Sequence, residues 1–372
     1  MLYSASWDFS LVFFQSPTYI FNRQLLWLAL GVIVVFVFSR LDYHIWRKLA
    51  VPVMLVTILA LIVVLIIGET RLGARRSILG GSVQPSELAK VVTVIYLAVW
   101  LYSKRNQLHD VQLGLIPLAI ILGIVGGLIY RQPDLSAAGT VFILGGLLFF
   151  LAGGDLRQIT LLLVATLIVG WLVVHSSPTG QERIRAFWEG VRDPTNASYH
   201  VQRSLEAIVK GGFFGVGIGR ADTKLTGLPV PPTDSIFAVI AEELGLVGVL
   251  GLIALYGALL WRGLVIARRA PDMLGTLLAA GLSFWIGLEA LINMSVMVGL
   301  MPFAGNALPF ISAGGSNLLA TLAAIGILLS ISRHQGQGVI HEGLEDEWRD
   351  FGATVDLRRR NRRRRLSRHR RP

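Results

Sequence analysis

The sequence predicts an all-α polytopic membrane protein, and three observations carry the prediction. The chain of 372 residues is 53% hydrophobic and only 15% charged, whereas soluble domains are nearer a quarter charged. Its mean hydropathy is +0.63. Apolar runs close to the length needed to cross a bilayer recur at residues 24–39, 49–67, 86–103, 111–130, 137–152, 158–175, 236–261, 273–300 and 317–333. That makes nine spans, several with internal Gly and a few with Pro, which membrane helices tolerate. The absence of cysteine excludes disulfides and thiolate metal sites.

The loops between these runs set the orientation. Arg40, Arg47 and Lys48, then Lys104 and Arg105, then Arg157, then Arg262, Arg268 and Arg269 fall in alternate loops. By the positive-inside rule that side is cytoplasmic. The C-terminal segment agrees: residues 358–371 carry ten arginines and no acid, and removing ten charges from the net +11 leaves about +1. Residues 334–372 therefore read as a disordered cytoplasmic tail that fixes topology and touches anionic lipid. No folded nucleic-acid module stands behind it, so nucleic acid is not expected as a partner. The opposite loops, 68–85, 131–136, 176–235 and 301–316, also carry cations: Arg71, Arg75, Arg76, Arg131, Arg183, Arg185 and Arg192. Cations against the insertion bias suggest an anionic ligand there; the competing reading is that long or late loops translocate whatever their charge.

The segment 176–235 is far longer than an ordinary connection, which points to function. Its QERIRAFWEGVRDP stretch is amphipathic and is expected to be a short interfacial helix. YHVQRSLEAIVK then reads as a second short helix that ends in a glycine turn. The cluster Gly211–Gly219 lacks the order of a dinucleotide fingerprint and follows no strand. It fits a tight loop that lets backbone approach something closely. Pro231 and Pro232 stiffen the way into the next span.

Asp234 opens that span. One reading is a helix N-cap. The other is a general base at the membrane surface, where partial desolvation raises a carboxylate toward the range proton abstraction needs. Glu242 lies on roughly the same helix face about 12 Å deeper, and Glu243 points the opposite way. Glu289 and Asn293, four residues apart in 273–300, serve either a site or helix packing. Pro85 opens a helix with Glu87 near its N-terminus; Lys90, in apolar surroundings, calls for a partner. Arg131-Gln132-Pro133-Asp134 is a polar turn at another helix start. Residues 301–317 hold no charge and read as a re-entrant plug. Asn196-Ala-Ser198 matches a glycosylation sequon that chance also supplies.

Taken together, Gln84-Pro-Ser-Glu-Leu-Ala-Lys90, Gln132-Pro-Asp-Leu135, Gly211-Gly-Phe-Phe-Gly-Val-Gly-Ile-Gly219, Thr233-Asp-Ser-Ile-Phe-Ala-Val-Ile-Ala-Glu-Glu-Leu-Gly245 and Leu308-Pro-Phe-Ile-Ser-Ala-Gly-Gly-Ser316 resemble the SEDS proteins of bacteria, the FtsW/RodA/SpoVE type. The matches run in order over residues 1–333, with the FtsW-like members favoured. The resemblance implies ten membrane helices and a large extracytoplasmic loop in the bacterial cytoplasmic (inner) membrane. It implies a glycosyltransferase that polymerises lipid II for cell division or cell shape. The implied partners are a class B penicillin-binding protein, other division or elongation proteins, and membrane lipids. The family's catalytic aspartate falls on Asp234.

Departures stand at Val230, Pro232, Ser235, Arg76-Ser-Ile78 and Ala313-Gly-Gly-Ser-Asn317, and they weaken roles inferred for neighbouring side chains. The start Leu2-Tyr-Ser-Ala-Ser6 matches the end of the family's first helix, so about twenty further apolar residues upstream are expected.

The implied chemistry is one inverting displacement. Asp234 takes the proton of the acceptor sugar's 4-hydroxyl, which attacks the anomeric carbon of the pyrophosphate-linked donor. Positive charge at the leaving pyrophosphate is expected from Arg76 and Lys90, with Arg131 or Arg183 as further candidates. Glu87, Gln132, Asp134, Glu242, Ser312 and Ser316, within or beside the matched motifs, are expected to bind substrate. A divalent cation, Mg or Mn, could help, but one acid without a cluster is a weak metal signal, and no metal-ligating residue is nominated. Two rival readings remain: a lipid II flippase with Glu289, Asn293 and Lys90 lining a pathway, and a scaffold recruiting cell-wall proteins through its tail.

Overall fold

The computed structural model describes residues 1–71, 74–77 and 83–335. The basic tail and the side chain of Arg76 lie outside the described residues. Every apolar run singled out above forms a helix. After a short α1 (Leu2–Phe14) come α2 (Tyr19–Arg40), α3 (Trp46–Ile67), α4 (Pro85–Lys104), α5 (Ile116–Arg131), α6 (Leu135–Leu151) and α7 (Leu156–Ser176). Two helices outside the spans follow, α8 (Pro178–Arg192) and α9 (Tyr199–Gly211), where the amphipathic stretches were expected. Then come α10 (Ile236–Arg268), α11 (Met273–Met297) and α12 (Gly315–Arg333). Among the described residues eight helical stretches are long and apolar enough to cross a membrane, α5 counting with the helical turn before it as Val111–Arg131, and α6, at 17 residues, is a shorter apolar helix between two of them. The departure from an all-α reading is small. Glu69–Arg71 (β1) pairs antiparallel with Ala74–Ser77 (β2), a hairpin between α3 and α4.

The helices divide into an inner and an outer set. In α11, 72% of the most apolar window is buried; in α7 the figure is 6%. Lipid tails are as apolar as leucine, so inner contacts rest on close packing and small residues. Gly281 of α11 is one such point. A Cβ there would stand 2.7 Å from Val94 of α4 and 2.9 Å from Leu148 of α6. Gly326 of α12 similarly lets α2 approach, its missing Cβ 2.7 Å from Phe38 and 3.2 Å from the backbone of Val35. Leu161, Leu167 and Trp171 of α7 are exposed along with most of that helix, as a lipid-facing span requires.

α10 is not one continuous helix. Gly245 has φ 64° and ψ −166°, which splits it into a half-helix, 236–244, and a longer second part. The backbone groups that the break releases are answered by the glycine loop. Leu246 N–H donates to Gly212 O at 2.9 Å and Val247 N–H to Phe213 O at 3.2 Å. In return Val216 N–H donates to Glu242 O at 3.0 Å and Gly217 N–H to Glu243 O at 3.1 Å. A Cβ on Gly215 would lie 2.2 Å from Glu243 O, so the tight approach expected of this cluster is an approach to the broken helix. Irregular backbone at membrane depth is tolerated where protein satisfies it.

Glu242 and Glu243 both pin the half-helix to the 222–224 turn, where the sequence reading has Glu243 pointing the opposite way. The Glu242 carboxylate accepts from Asp222 N–H (2.9 Å), Thr223 N–H (3.3 Å) and the Thr223 hydroxyl. Glu243 pairs with Lys224 Nζ at 2.7 Å and accepts from the Ser4 hydroxyl of α1.

Candidate active site

Asp234 is half-buried at the mouth of the half-helix. The N-cap position of α10 belongs to Ser235, one residue beyond it. The turn carrying Asp234 is fixed through its backbone: three consecutive carbonyls accept from α11 and the loop before α12. Ala313 N–H donates to Pro232 O at 2.8 Å, the Ser312 hydroxyl to Thr233 O at 2.6 Å, and Asn293 Nδ2 to Asp234 O at 3.0 Å. Ser235 adds a hydroxyl bond to Pro229 O at 2.8 Å. The uncharged segment expected as a plug, 301–317, is a loop over 301–314 and the first turn of α12 beyond it, and the loop is the partner of this turn. It is irregular, and it is tied in by Leu308 N–H to Ser312 Oγ at 2.7 Å, Gly314 N–H to Gln24 Oε1 at 3.2 Å, and the Tyr256 hydroxyl to Pro309 O. Gly305 of the plug lies against the carboxylate: a Cβ there would sit 3.4 Å from Asp234 Oδ2.

Beneath the turn runs a buried charged cluster. Lys90 Nζ lies 2.9 Å from Glu289 and 3.0 Å from Glu87. Glu87 also accepts from Asn317 Nδ2 at 2.7 Å, and Glu289 from Asn306 Nδ2 at 3.3 Å. Lys90 is 2% exposed and Glu289 1%. The partner that Lys90 called for is thus a pair of carboxylates. This corrects the expectation that it is a cation available to pyrophosphate: its charge is answered inside the bundle.

The other residues nominated from the sequence divide into those at this end of the bundle and those engaged elsewhere. Asp134 caps α6, accepting from Ala137 N–H at 3.1 Å, and holds Gln84 Nε2 at 3.1 Å and the Ser86 hydroxyl at 3.3 Å. Ser316 accepts from Gln84 N–H at 3.1 Å, so α4, α6 and α12 meet there. Gln132 and Glu242 are not brought to Asp234. Gln132 donates to Leu61 O of α3 at 3.1 Å, and Glu242 serves the 222–223 turn. Arg131 is exposed.

Arg183 of α8 packs on the loop before α12. Its guanidinium lies 5.6 Å from the ring centre of Phe303, and the imidazole of His200 stacks on the same ring at 4.2 Å. Burial, then the charge of Arg183, hold His200 below its ordinary value. A cavity of about 220 Å³ opens between α8, α9 and the 298–303 loop, lined by Arg183, Phe187, Val201, Met301 and Phe303 among others. Sequence reasoning missed His200, Asn306 and Asn317. The two asparagines were discoverable, Asn306 as a polar side chain in a loop otherwise apolar or small and Asn317 as one in the first turn of an apolar helix; His200 had no signal, because the partners that matter lie across the fold.

A polytopic bundle with a broken helix, a carboxylate held at its mouth and a capping loop defines a membrane protein built to work on a substrate at the bilayer surface. The chain belongs to the FtsW/RodA/SpoVE family: the family model described as "Cell cycle protein" matches residues 1–337. It is 40% identical over 339 residues to a probable peptidoglycan glycosyltransferase FtsW from Trichlorobacter lovleyi, which covers 89% of this chain and 88% of that one. Its fold superposes on a chain from a peptidoglycan synthase complex that coordinates polymerization and crosslinking, with TM-score 0.71, 30% identity, and 90% and 96% of the two chains covered. The rod shape determining protein RodA of Thermus thermophilus gives TM-score 0.63 at 27% identity, covering 90% and 94%.

Proposed function

We propose that the protein is a peptidoglycan glycosyltransferase that polymerises lipid II, with Asp234 as general base on the extracytoplasmic side of the bacterial inner membrane. The observation that carries the reading is the fixing of the Asp234 turn through three successive carbonyls, which aims a carboxylate rather than leaving it on a mobile loop. Asp234 takes the proton of the acceptor 4-hydroxyl as the oxygen attacks the donor's anomeric carbon. The bond to pyrophosphate breaks on the opposite face, so configuration inverts and polyprenyl pyrophosphate leaves with the bonding electrons. Charge developing on it is met by Arg183, placed beside Phe303 at the same end, and by Arg76. Glu87 and Asp134 then act as supports of the site's walls, with Ser312 and Ser316. Among the described residues no three His, Cys, Asp or Glu side chains converge on a metal position. A class B penicillin-binding protein is the crosslinking partner this reading calls for.

The relatives' names support the polymerase reading, and the interior weighs against a flippase. Lys90, Glu87, Glu289 and Asn293 are bonded to fixed neighbours and closed from solvent, where a pathway would need them to release. Purified protein given fluorescent lipid II tests the choice. Glycan ladders that vanish in Asp234→Asn support the polymerase; lipid scrambling without ladders sinks it.

A further inference from the structure

We propose that Asn293 is a positioning residue for the Asp234 carboxylate, acting through the main chain rather than on substrate; this rests on the catalytic reading of Asp234 above. The sequence offered Asn293 only as packing glue or as part of a site shared with Glu289. Its geometry is more specific. Asn293 is 1% exposed, and Nδ2 faces two carbonyl oxygens, Asp234 O at 3.0 Å and Asn306 O at 2.5 Å. Each takes one of the two amide hydrogens. The orientation is dictated, since the reverse would set oxygen against two oxygens. Oδ1 has no hydrogen-bond partner; a buried amide kept with one end unsatisfied is retained for what its other end holds.

That other end joins the two backbone segments that make the site. Asp234 lies on the turn before α10, and Asn306 lies on the capping loop whose Gly305 abuts the carboxylate. Asn306 is held from its own side chain as well, donating to Glu289 Oε2 at 3.3 Å. Glu289 is in turn held by Lys90. The buried ion cluster thus anchors Asn306, Asn306 and Asn293 share one hydrogen bond, and Asn293 holds the carbonyl of the catalytic residue. A misplacement of about 1 Å at a reacting group can cost on the order of 10²-fold in rate. The buried charges, costly in themselves, would then serve geometry at the carboxylate.

The experiment is steady-state polymerisation by the full-length protein with fluorescent lipid II, comparing Asn293→Ala and Asn293→Ser with wild type. A positioning role lowers kcat by roughly 10- to 100-fold while KM for lipid II and the melting midpoint stay near wild type. It also predicts coupling: adding Asn293→Ala to Asp234→Asn lowers the residual rate no further, because the group being positioned is gone. Unchanged kcat, an effect confined to KM, or losses that multiply in the double variant would overturn the proposal. So would failure of both single variants to fold, which would assign Asn293 to stability. If Asp234→Asn itself polymerises normally, the catalytic reading fails first; if it is dead while Asn293→Ala keeps its kcat, only the positioning role fails.

Discussion

The two ends of the bundle solve the problem of joining helices in opposite ways. At the end carrying the α2–α3, α4–α5, α6–α7 and α10–α11 connections, turns are short and regular. Asp42, Asp110, Asp155 and Asp272 each accept a backbone N–H at the start of the next helical segment, at 2.8–3.0 Å. At the other end Asp134 and Ser177 still cap α6 and α8, but α4, α10 and α12 start with no side-chain cap bond, long loops intervene, and the backbone of the Asp234 turn is satisfied by α11 and the 301–314 loop. Four aspartates at one end do what aspartate ordinarily does before a helix. At Asp234 the backbone carbonyl is held by Asn293, and the helix N-cap falls one residue on, at Ser235. The difference separates a structural end from a working end.

The largest effect that could break this comparison is the pair Asp234→Asn and Asp155→Asn. Asparagine caps helices about as well as aspartate but cannot take a proton. Asp155→Asn should leave both melting and polymerisation near wild type. Asp234→Asn should melt normally and lose about 10²- to 10⁴-fold in polymerisation, the usual cost of removing a general base. A near-normal rate in Asp234→Asn would return it to the company of the other four.

Next in size is the buried cluster. Lys90→Ala leaves Glu87 and Glu289 facing each other without the cation between them, and breaking a buried pair from one side typically costs about 3–5 kcal/mol. The expected result is a protein that melts much lower or fails to accumulate, before any change in substrate affinity. A stable Lys90→Ala protein with weakened lipid II binding would restore the pyrophosphate role that the sequence suggested.

Most of the fold was legible because a membrane leaves its length scale in the sequence. The nine apolar runs and the two amphipathic helices of the long segment follow from local periodicity. The break at Gly245 was not. A single glycine in an apolar run reads as tolerated, and only the return of Gly212, Phe213 and Gly215 to that point shows why it bends. The site was half legible. Asp234 stood out, but the partner of Lys90 lies 199 positions away at Glu289, and sequence shows that a partner is needed without showing its sign. Gln132 and Glu242 carried motif resemblance, yet their hydrogen bonds run to α3 and to the 222–223 turn.

A smaller effect sharpens the same contrast within the glycine loop. Gly215→Ala puts a methyl 2.2 Å from Glu243 O at φ 78°, while Gly219, at φ 85°, has nothing within 4 Å. Both substitutions pay the backbone strain of a left-handed position, about 1–2 kcal/mol. Only Gly215→Ala should also disturb the broken helix and lower polymerisation. Equal behaviour of the two proteins in melting and ladder assays would remove the claim that close approach, rather than turn geometry alone, requires glycine there.

The smallest effects are in pH, and they differ between the ends in where they fall. At the working end, His200 is held below its ordinary value of about 6.5 by burial and by Arg183. Above that value both folded and unfolded chains keep it neutral and it contributes no pH dependence. As pH falls below it, the unfolded chain takes up a proton that the fold resists, so stability drops until the lowered folded value is passed. At the other end, burial pushes Asp42 up, but the backbone N–H and ring of His44, with the charges of His44 and His334, outweigh it and hold the carboxylate low. Its stabilisation is present at neutral pH and is lost only as pH falls through that lowered carboxylate value. Melting curves of detergent-solubilised protein should therefore show two separable losses of no more than a few degrees each. His200→Gln should flatten the first, which begins as pH falls through about 6.5, and leave the second. Asp42→Asn should flatten only the second, below about pH 4. If His200→Gln leaves the first loss unchanged, the imidazole is not held neutral by burial and by Arg183, and the contacts of Arg183 and His200 with Phe303 do not set its charge.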